Sequence, residues 1–440
     1  MRESISGVIL FFLFITSAVH SEPILTYKEA LKQVIETSPE VHIQSLYLQR
    51  EVKVLQQSSS LVQTSPEIEL SYEKGKTQYP IGYFDTIPSA EELKSQSYEI
   101  GIKQQIEVTG ARQLRIHEST SRKAIAEKLF ELEKLQARSR LRQDYLSISI
   151  HKEMMDHLNE HVIRFVRMRS TFGNGYFDRR LGNYTMTALD MGIASLKASL
   201  AERSTEYDKS ILEMKRQLGL LNSESNHNIN IEIEDFQTIP FSDLPDKNTL
   251  ISDAKNGLMI LLSQDQIEAE KAAQQIAARK ILPFVELLAA TGKRNLGNYS
   301  SVSFQNNVAE RENYFKVGLR IPIGLWGAET YESNIKEIDQ KIAEHELLQL
   351  QDRLTSQIIN EITTYERQRQ SFNELHRSFI KSEPLLLALE SALIARRITY
   401  FEFWSEHERL HEILSRMGQA RLEAAATLGR LEILTGKTLE

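Results

Sequence analysis

Short segments of this chain recur at a constant offset of 217 residues, so one structural unit has been built twice. Proline and glycine mark equivalent positions in the two halves, namely Pro66 and Pro283, Gly110 and Gly327, and Gly219 and Gly436. A fixed offset of this kind indicates a duplicated supersecondary unit. We therefore divide the chain into a first repeat at 22–222, a polar linker at 223–248 and a second repeat at 249–440.

Residues 1–21 are expected to be a secretory signal peptide. Arg2 precedes an unbroken apolar run from Val8 to Ile15, and small residues suited to cleavage follow it. The run is shorter than the about 20 residues that a membrane-spanning helix needs. A buried N-terminal helix is the alternative. The chain contains no cysteine, so an exported protein of this sequence is held together by packing and not by disulfides.

Net charge argues against one class of partner. The formal charge is −7, and lysine and arginine are scattered along the chain. A nucleic-acid-binding surface instead concentrates positive charge on one face. We therefore expect no nucleic-acid partner.

Each repeat contains two segments in which apolar and polar residues alternate, which is typical of strands with one apolar face. They lie near 67–74 and 98–108 in the first repeat, and near 284–291 and 314–325 in the second. A length of about ten residues suits a tilted strand of a membrane β-barrel, which hydropathy averaging does not detect. Two half-buried hairpins of a soluble protein are the alternative.

Each repeat also contains one very long predicted helix. The segments near 111–171 and 328–383 contain neither glycine nor proline. Their apolar residues recur every three or four positions, for example Ile125, Leu129 and Leu132. A long helix with a narrow apolar seam is expected to pack as a coiled coil.

Further helices flank these segments. We expect one continuous helix over 26–59, and return helices over 185–218 and 399–434. The first long helix should be interrupted by two glycine-containing segments, 172–175 and 181–183. The second should bend near Pro384, where the ring removes a helix hydrogen bond, and turn at 396–399.

Two histidine pairs match metalloprotease spacings. His407, Glu408 and His411 fit H-E-x-x-H, in which two histidines hold zinc and the glutamate activates water. His157 and His161 fit the inverted H-x-x-E-H spacing. With 11 histidines and abundant glutamate on helices, solvated side chains on coiled-coil surfaces explain both. We therefore assign no catalytic, cofactor-binding or metal-binding residue, and keep a secreted zinc protease as an alternative.

Charged residues cluster at the second turn. Glu402 and Glu406 lie one helical turn apart, just after Arg396 and Arg397. Several copies around an axis would form a carboxylate ring that selects cations, and pairs with arginine would hold such an aperture shut. A helix N-terminus that favours glutamate through the helix dipole is the alternative.

The layout resembles that of the TolC-like outer-membrane efflux factors. The resemblance rests on the duplicated unit and on its joints, namely 38–41, Pro66, Pro283, 106–112 with Gly110, 323–327 with Gly327, and the tip segment 396–403. It covers essentially all of the chain after residue 21. The segment Thr109-Gly110-Ala111-Arg112 is more similar to the heavy-metal cation efflux branch than to the multidrug branch.

The resemblance implies a mainly α fold with β-hairpins, assembled as a homotrimer. Each copy would contribute four strands to one outer-membrane β-barrel and its helices to a periplasmic tunnel. Such a protein is a passive exit duct in outer-membrane lipid, served by an inner-membrane pump and a periplasmic adaptor protein. Glu402 falls where relatives place an acidic gate residue. A soluble periplasmic coiled-coil scaffold or adhesin is the structural alternative.

This chain also departs from the family pattern. It lacks the N-terminal cysteine through which many relatives of the metal branch are lipid-anchored. Arg396 stands where the family usually has glycine, and the first tip carries extra residues at 173–180. These departures concern the fit to the adaptor and the geometry of the gate. The transported substrate, whether a metal cation, a drug or a protein, stays open.

Overall fold

The computed structural model of the chain describes most of the sequence after residue 23. The described residues are 24–60, 64–77, 93–107, 109–174, 179–220, 230–231, 233–280, 284–299, 308–321 and 329–439. The expectations for residues 1–21 and for the joints Pro283 and Gly327 lie outside these ranges, as do residues 175–178 of the first tip.

Among the described residues, a short strand, two helices, two longer strands and two helices follow one another in that order, and this order occurs twice. The helices are α1 (Tyr27–Thr37), α2 (Pro39–Ser58), α3 (Ala111–Asn174), α4 (Arg179–Gln217), α5 (Lys247–Lys255), α6 (Leu258–Arg279), α7 (Glu329–Ile394) and α8 (Tyr400–Thr435). The strands are β1 (Ile24–Leu25), β2 (Glu67–Thr77), β3 (Leu93–Ile106), β4 (Asn230–Ile231), β5 (Val285–Tyr299) and β6 (Val308–Arg320). None of the described helices is both long and apolar enough to cross a membrane.

The described residues form two compact units, and each takes segments from both halves of the chain. The helical unit comprises the described parts of Met1–Pro39, Arg140–Phe241 and Gln368–Ala425. The sheet unit comprises the described parts of Glu40–Ser139, Ser242–Arg367 and Ala426–Glu440.

The core of the helical unit is formed by the apolar seams of α3, α4, α7 and α8. Phe165 of α3, Leu189 of α4 and Phe403 of α8 are almost completely buried in one cluster. Burying a side chain of this size contributes about 1.5–3 kcal/mol. The periodic apolar positions of the long helices therefore form a packed interior, as a coiled-coil seam predicts.

Arg421 fixes the irregular segment that follows β4. Its side chain is buried, and its guanidinium donates hydrogen bonds to the carbonyl oxygens of Ile239 (2.6 Å) and Pro240 (2.8 Å). The same group lies 3.9 Å from the centre of the Phe241 ring. A buried cation needs such partners because desolvation is costly. The polar segment predicted as a linker is thus tied to the helices.

The sheet unit contains one antiparallel sheet in the order β2-β3-β5-β6. The pairing of β2 with β3 runs from Glu67 opposite Lys103 to Thr77 opposite Leu93. All four predicted strands are confirmed, but β2, β3 and β5 extend further into the polar hairpin ends, and β6 begins at Val308. The extensions arise because backbone pairing continues where the apolar alternation has stopped.

The prediction of one helix over 26–59 is wrong. Ser38 has φ −59° and ψ 128°, which is not helical, and it separates α1 from α2. The ring of Pro39 disfavours the helical conformation for the residue before it. Proline is itself well suited to the first position of a helix, where its missing N–H is not needed. Pro39 therefore ends α1 and begins α2.

The predicted turn at 396–399 is confirmed, but the second long helix reaches Ile394 and does not end near residue 383. Helix α7 continues through Pro384 to Ile394. Leu386 and Leu393 beyond the proline are buried in the core of the helical unit, and this packing outweighs one lost helix hydrogen bond. Likewise 181–183 do not interrupt the chain but lie within α4, which begins at Arg179.

Candidate functional site: an apolar sheet face and the turn before α8

One face of the sheet is apolar across all four strands. The register places Ile68 opposite Ile102, and Leu70 opposite Ile100. Since side chains alternate between faces along a strand, every second residue joins this surface. The larger members are Ile68, Leu70, Tyr72, Tyr98, Ile100, Ile102, Leu287, Phe315, Val317 and Leu319.

This apolar face is exposed in the single chain. Leu70 is 74% exposed, Phe315 73% and Val317 71%. Soluble monomers rarely leave a contiguous apolar patch of this kind uncovered, and such patches mark contact with a protein or a membrane. The face therefore requires an apolar environment that lies outside the chain.

The opposite face of the sheet is polar and hydrogen-bonded. The ammonium group of Lys103 lies 2.5 Å from the carboxylate of Glu69 on the neighbouring strand. The hydroxyl of Tyr314 donates to the carboxylate of Glu99 at 2.7 Å, and Lys316 lies 3.9 Å from that carboxylate. Such charge-assisted pairs are typical of a face that contacts water.

Both edges of the sheet are open. Strands β2 and β6 are the outer strands, and each has a partner on one side only within the described part of the chain. The outer edge of such a strand presents backbone N–H and C=O groups that can pair with another chain. The open edges and the apolar face therefore both indicate contacts with molecules outside the chain.

The strand-to-helix joint after β3 is tightly held. Gly110 has φ 70°, a left-handed conformation that glycine adopts without strain. Arg279 donates a hydrogen bond to the carbonyl oxygen of Thr109 (2.7 Å), and Arg112 donates to that of Ser59 (2.6 Å). Gly110 and Arg112 are therefore structural residues that fix where α3 begins. Pro66 lies exposed, directly before β2.

Arg396 ends α7 in a conformation that normally belongs to glycine. Its φ is 58°. The N–H of Arg396 donates to the carbonyl of Leu393 (3.0 Å), and that of Arg397 donates to Ala392 (2.8 Å). This bonding pattern is the Schellman motif, in which a left-handed residue closes the helix. The left-handed backbone conformation therefore explains why glycine is expected at this position.

Replacing Arg396 with glycine is expected to stabilise the protein by about 0.5–1 kcal/mol, because the left-handed conformation strains a residue that has a Cβ. The measurement is the thermal unfolding midpoint. The matched control is Arg397→Gly, one residue along and without a positive φ. It should lower the midpoint, since there glycine only adds freedom to the unfolded chain. Equal shifts of the unfolding midpoint for both variants would contradict the assignment of backbone strain to Arg396.

Glu402 caps helix α8. Its carboxylate accepts hydrogen bonds from the backbone N–H of Thr399 (2.7 Å) and from the Thr399 hydroxyl (3.0 Å). The Thr399 hydroxyl accepts in turn from the N–H of Glu402 at 3.3 Å, which completes a capping box. The bond from the Thr399 backbone holds the pKa of Glu402 below its usual value, so the carboxylate is charged at neutral pH.

The four residues predicted as a gate lie together on the turn and the first two turns of α8. Arg396, Arg397 and Glu402 are exposed, and Glu406 is partly exposed. Glu406 lies 3.2 Å from the guanidinium of Arg409, one turn further along the helix. The turn therefore presents both positive and negative charges, and the two glutamates are bonded to Thr399, just before α8, and to Arg409.

The H-E-x-x-H segment does not have the side-chain arrangement that a metalloprotease requires. His407 is buried, with 1% of its surface exposed, whereas Glu408 faces solvent. A general base has to lie within hydrogen-bond reach of the water that it activates. Glu408 does not share the buried side of α8 with the histidines. Proteolysis of this kind has no support in the geometry.

Comparisons with known proteins bear on the fold. No protein-family model matches the chain, and no curated protein matches it. The chain is similar over 93% of its length to CusC, whose crystal structures describe transmembrane channel formation, with 11% identity, 92% of that chain covered and a TM-score of 0.69. It is similar over 93% to the Campylobacter jejuni CmeC outer-membrane channel, with 12% identity, 85% of that chain covered and a TM-score of 0.69.

A third likeness is to the open state of the Neisseria gonorrhoeae MtrE outer-membrane channel. It covers 94% of this chain and 89% of that one, with 12% identity and a TM-score of 0.70. The TM-scores of the three are nearly equal, so they do not distinguish a branch. The mainly helical fold with one antiparallel sheet, expected from the resemblance, is confirmed. The chain has the fold of the TolC-like outer-membrane channels.

Proposed function

We propose that this chain is the outer-membrane channel of a tripartite efflux or export system, a passive exit duct without enzymatic activity. The observation that carries the proposal is the exposed apolar face of the sheet, backed by a polar face. Lipid would cover the apolar face, and the polar face would line a water-filled lumen. The helices would lie in the periplasm.

The open edges of the sheet favour an oligomer. In lipid, every backbone polar group has to be satisfied within protein, so a membrane sheet has no free edge. Four strands are too few to close a barrel around a pore. Edge strand β2 of one copy is therefore proposed to pair with edge strand β6 of the next. A homotrimer, as the resemblance implies, would close a barrel of twelve strands.

An inner-membrane pump and a periplasmic adaptor protein are the proposed partners. A passive duct has no energy source of its own, so an energised pump has to deliver the substrate. The three similar structures support a channel role through their fold. The alternatives, a soluble coiled-coil scaffold or adhesin and a zinc protease, leave the apolar sheet face unexplained.

Membrane fractionation tests the proposal. The full chain, expressed in a Gram-negative host, should be recovered in the outer membrane and be released by detergent only. Native mass spectrometry of the released protein should give three copies per particle. Recovery as a monomer in the soluble periplasmic fraction would overturn the proposal and favour the scaffold.

We further propose that the charged turn formed by Arg396, Arg397, Glu402 and Glu406 is the periplasmic gate. Around a threefold axis, the exposed Glu402 carboxylates would form a ring that attracts cations. The capping bonds that lower the Glu402 pKa keep this charge in place at neutral pH. Arg396 and Arg397 would then set how tightly the aperture closes.

Glu402→Gln separates the two roles of this side chain. Glutamine can also complete a capping box, so the helix start should be kept while the charge is lost. We expect lower cation selectivity in planar-bilayer recordings. The control is Glu412→Gln, an exposed glutamate further along α8 that pairs with Arg416 (2.6 Å). Selectivity unaltered by Glu402→Gln would remove Glu402 from the gate.

A further inference from the structure

Four histidines from two helices meet in the helical unit. His157 and His161 lie one turn apart on α3, and His407 and His411 lie one turn apart on α8. The Nε2 atoms of His157 and His161 are 3.0 Å apart. The Nε2 atom of His407 lies 2.9 Å from Nδ1 of His161 and 3.2 Å from Nε2 of His411. Two motifs that are distant in sequence thus form one cluster.

Three of these side chains converge in the way that metal ligands do. One ring nitrogen from each of His157, His161 and His411 lies within 4.8 Å of the others. Zinc–nitrogen bonds of about 2.0–2.1 Å in a tetrahedral site separate the nitrogens by about 3.3 Å. Small ring rotations would bring the three nitrogens to that separation.

Aromatic rings pack against the cluster, and two arginines, Arg164 and Arg203, also lie near it. The His407 ring stacks on Trp404 with centroids 5.4 Å apart, and Phe165 approaches it edge-on at 5.0 Å. His157 lies 5.7 Å from the ring of Phe379. Aromatic walls of this kind limit the rotamers of the imidazoles, which preorganises a ligand set.

We propose that His157, His161 and His411 form a binding site for a first-row divalent transition-metal ion, with His407 as a positioning residue. An all-imidazole ligand set suits Zn²⁺, Cu²⁺ or Ni²⁺ and does not suit Mg²⁺ or Ca²⁺, which prefer oxygen. Three histidines leave one coordination position for water or another ligand.

His407 is placed to orient one ligand. When Nε2 of His161 holds a metal, its proton resides on Nδ1, which then donates to Nε2 of His407. A partner on the second nitrogen fixes both the tautomer and the direction of a ligating ring. His407 therefore acts through His161 in this arrangement.

The site is a binding site and not a hydrolytic one. The glutamates of the two motifs, Glu160 and Glu408, are exposed and belong to the outer faces of their helices. No carboxylate of either motif is thus placed to activate a metal-bound water. An ion held here would tie α3 to α8 directly. Because all three ligands come from one chain, the metal site does not depend on assembly into a channel.

Titration of the full-length, detergent-purified and chelator-stripped protein with Zn²⁺ tests the proposal by calorimetry. We expect one Zn²⁺ per chain. His411→Gln and His157→Gln, at partly exposed ligand positions, should each weaken binding at least about tenfold. His407→Gln should weaken binding less than either ligand variant. Co²⁺ in the unaltered protein should give the visible d–d bands of a low-coordinate imidazole site.

The matched control is His345→Gln, an exposed histidine of α7 outside the cluster. It should leave stoichiometry and affinity unchanged. Circular dichroism of each variant verifies that its helices are intact. Zn²⁺ binding of equal affinity in the unaltered protein and in the His157→Gln/His411→Gln double variant would overturn the proposal.

Discussion

Leu70→Arg is expected to reduce outer-membrane insertion of the protein at least about tenfold. Leu70 lies on the apolar face of the sheet and is 74% exposed in the single chain. An arginine on the lipid face of a membrane barrel costs about 2–4 kcal/mol at the midplane, and a trimer would incur this cost three times. In a soluble protein the same substitution would be harmless, because an exposed leucine side chain does not contribute to stability.

Ser71→Arg is the matched control for this substitution. Ser71 is the next residue of β2, so its side chain lies on the opposite, polar face of the sheet. We expect insertion to stay close to that of the unaltered protein. The measurement is the amount of detergent-extractable trimer in the outer-membrane fraction. Equal effects of the two arginines would contradict the assignment of the apolar face to lipid.

Gly429→Ala should destabilise the sheet unit by about 1–3 kcal/mol through overpacking. Helices α8 and α3 approach so closely here that an added Cβ would lie 2.6 Å from the Cβ of Ser139. On helix propensity alone, glycine to alanine in a helix interior should stabilise by about 1 kcal/mol. The contact with Ser139 turns this expected stabilisation into a destabilisation, because a Cβ cannot rotate away from the clash.

A double variant tests that explanation. Gly429→Ala combined with Ser139→Gly moves the missing Cβ from one helix to the other and should recover most of the lost stability. Thermal unfolding of the two single variants and the double variant gives the coupling between the sites. Additive losses would show that α3 and α8 do not touch at this point.

The strands and long helices could be predicted from the sequence because each leaves a local pattern. Apolar residues alternate with polar ones in β2 and β6, and they recur every three or four positions in α3 and α7. Both patterns arise because one side of the element is apolar. The ends of elements depend instead on contacts distant in sequence. Pro384 is tolerated within α7 because Leu386 and Leu393 are buried, and no local rule contains that information.

The candidate sites were predictable to different degrees. Arg396 could be identified because it stands at a position where glycine is expected, and its φ of 58° gives the reason. The role of Glu402 as a helix cap could also have been read from Thr399 three residues before it. The histidine cluster could not be predicted, because His161 and His407 are 246 residues apart in the sequence. The interpretation of both pairs as solvated side chains is wrong for His161 and His407, which are buried. Only the packing of α3 against α8 brings His161 to His407.

Electron cryo-microscopy of the full-length protein, extracted from outer membranes with detergent, tests the central claim most directly. We expect a threefold particle in which β2 of each copy pairs with β6 of its neighbour. The detergent belt should cover Leu70, Phe315 and Val317. A monomer, or an oligomer in which another protein surface covers these side chains and no detergent belt is present, would contradict the account.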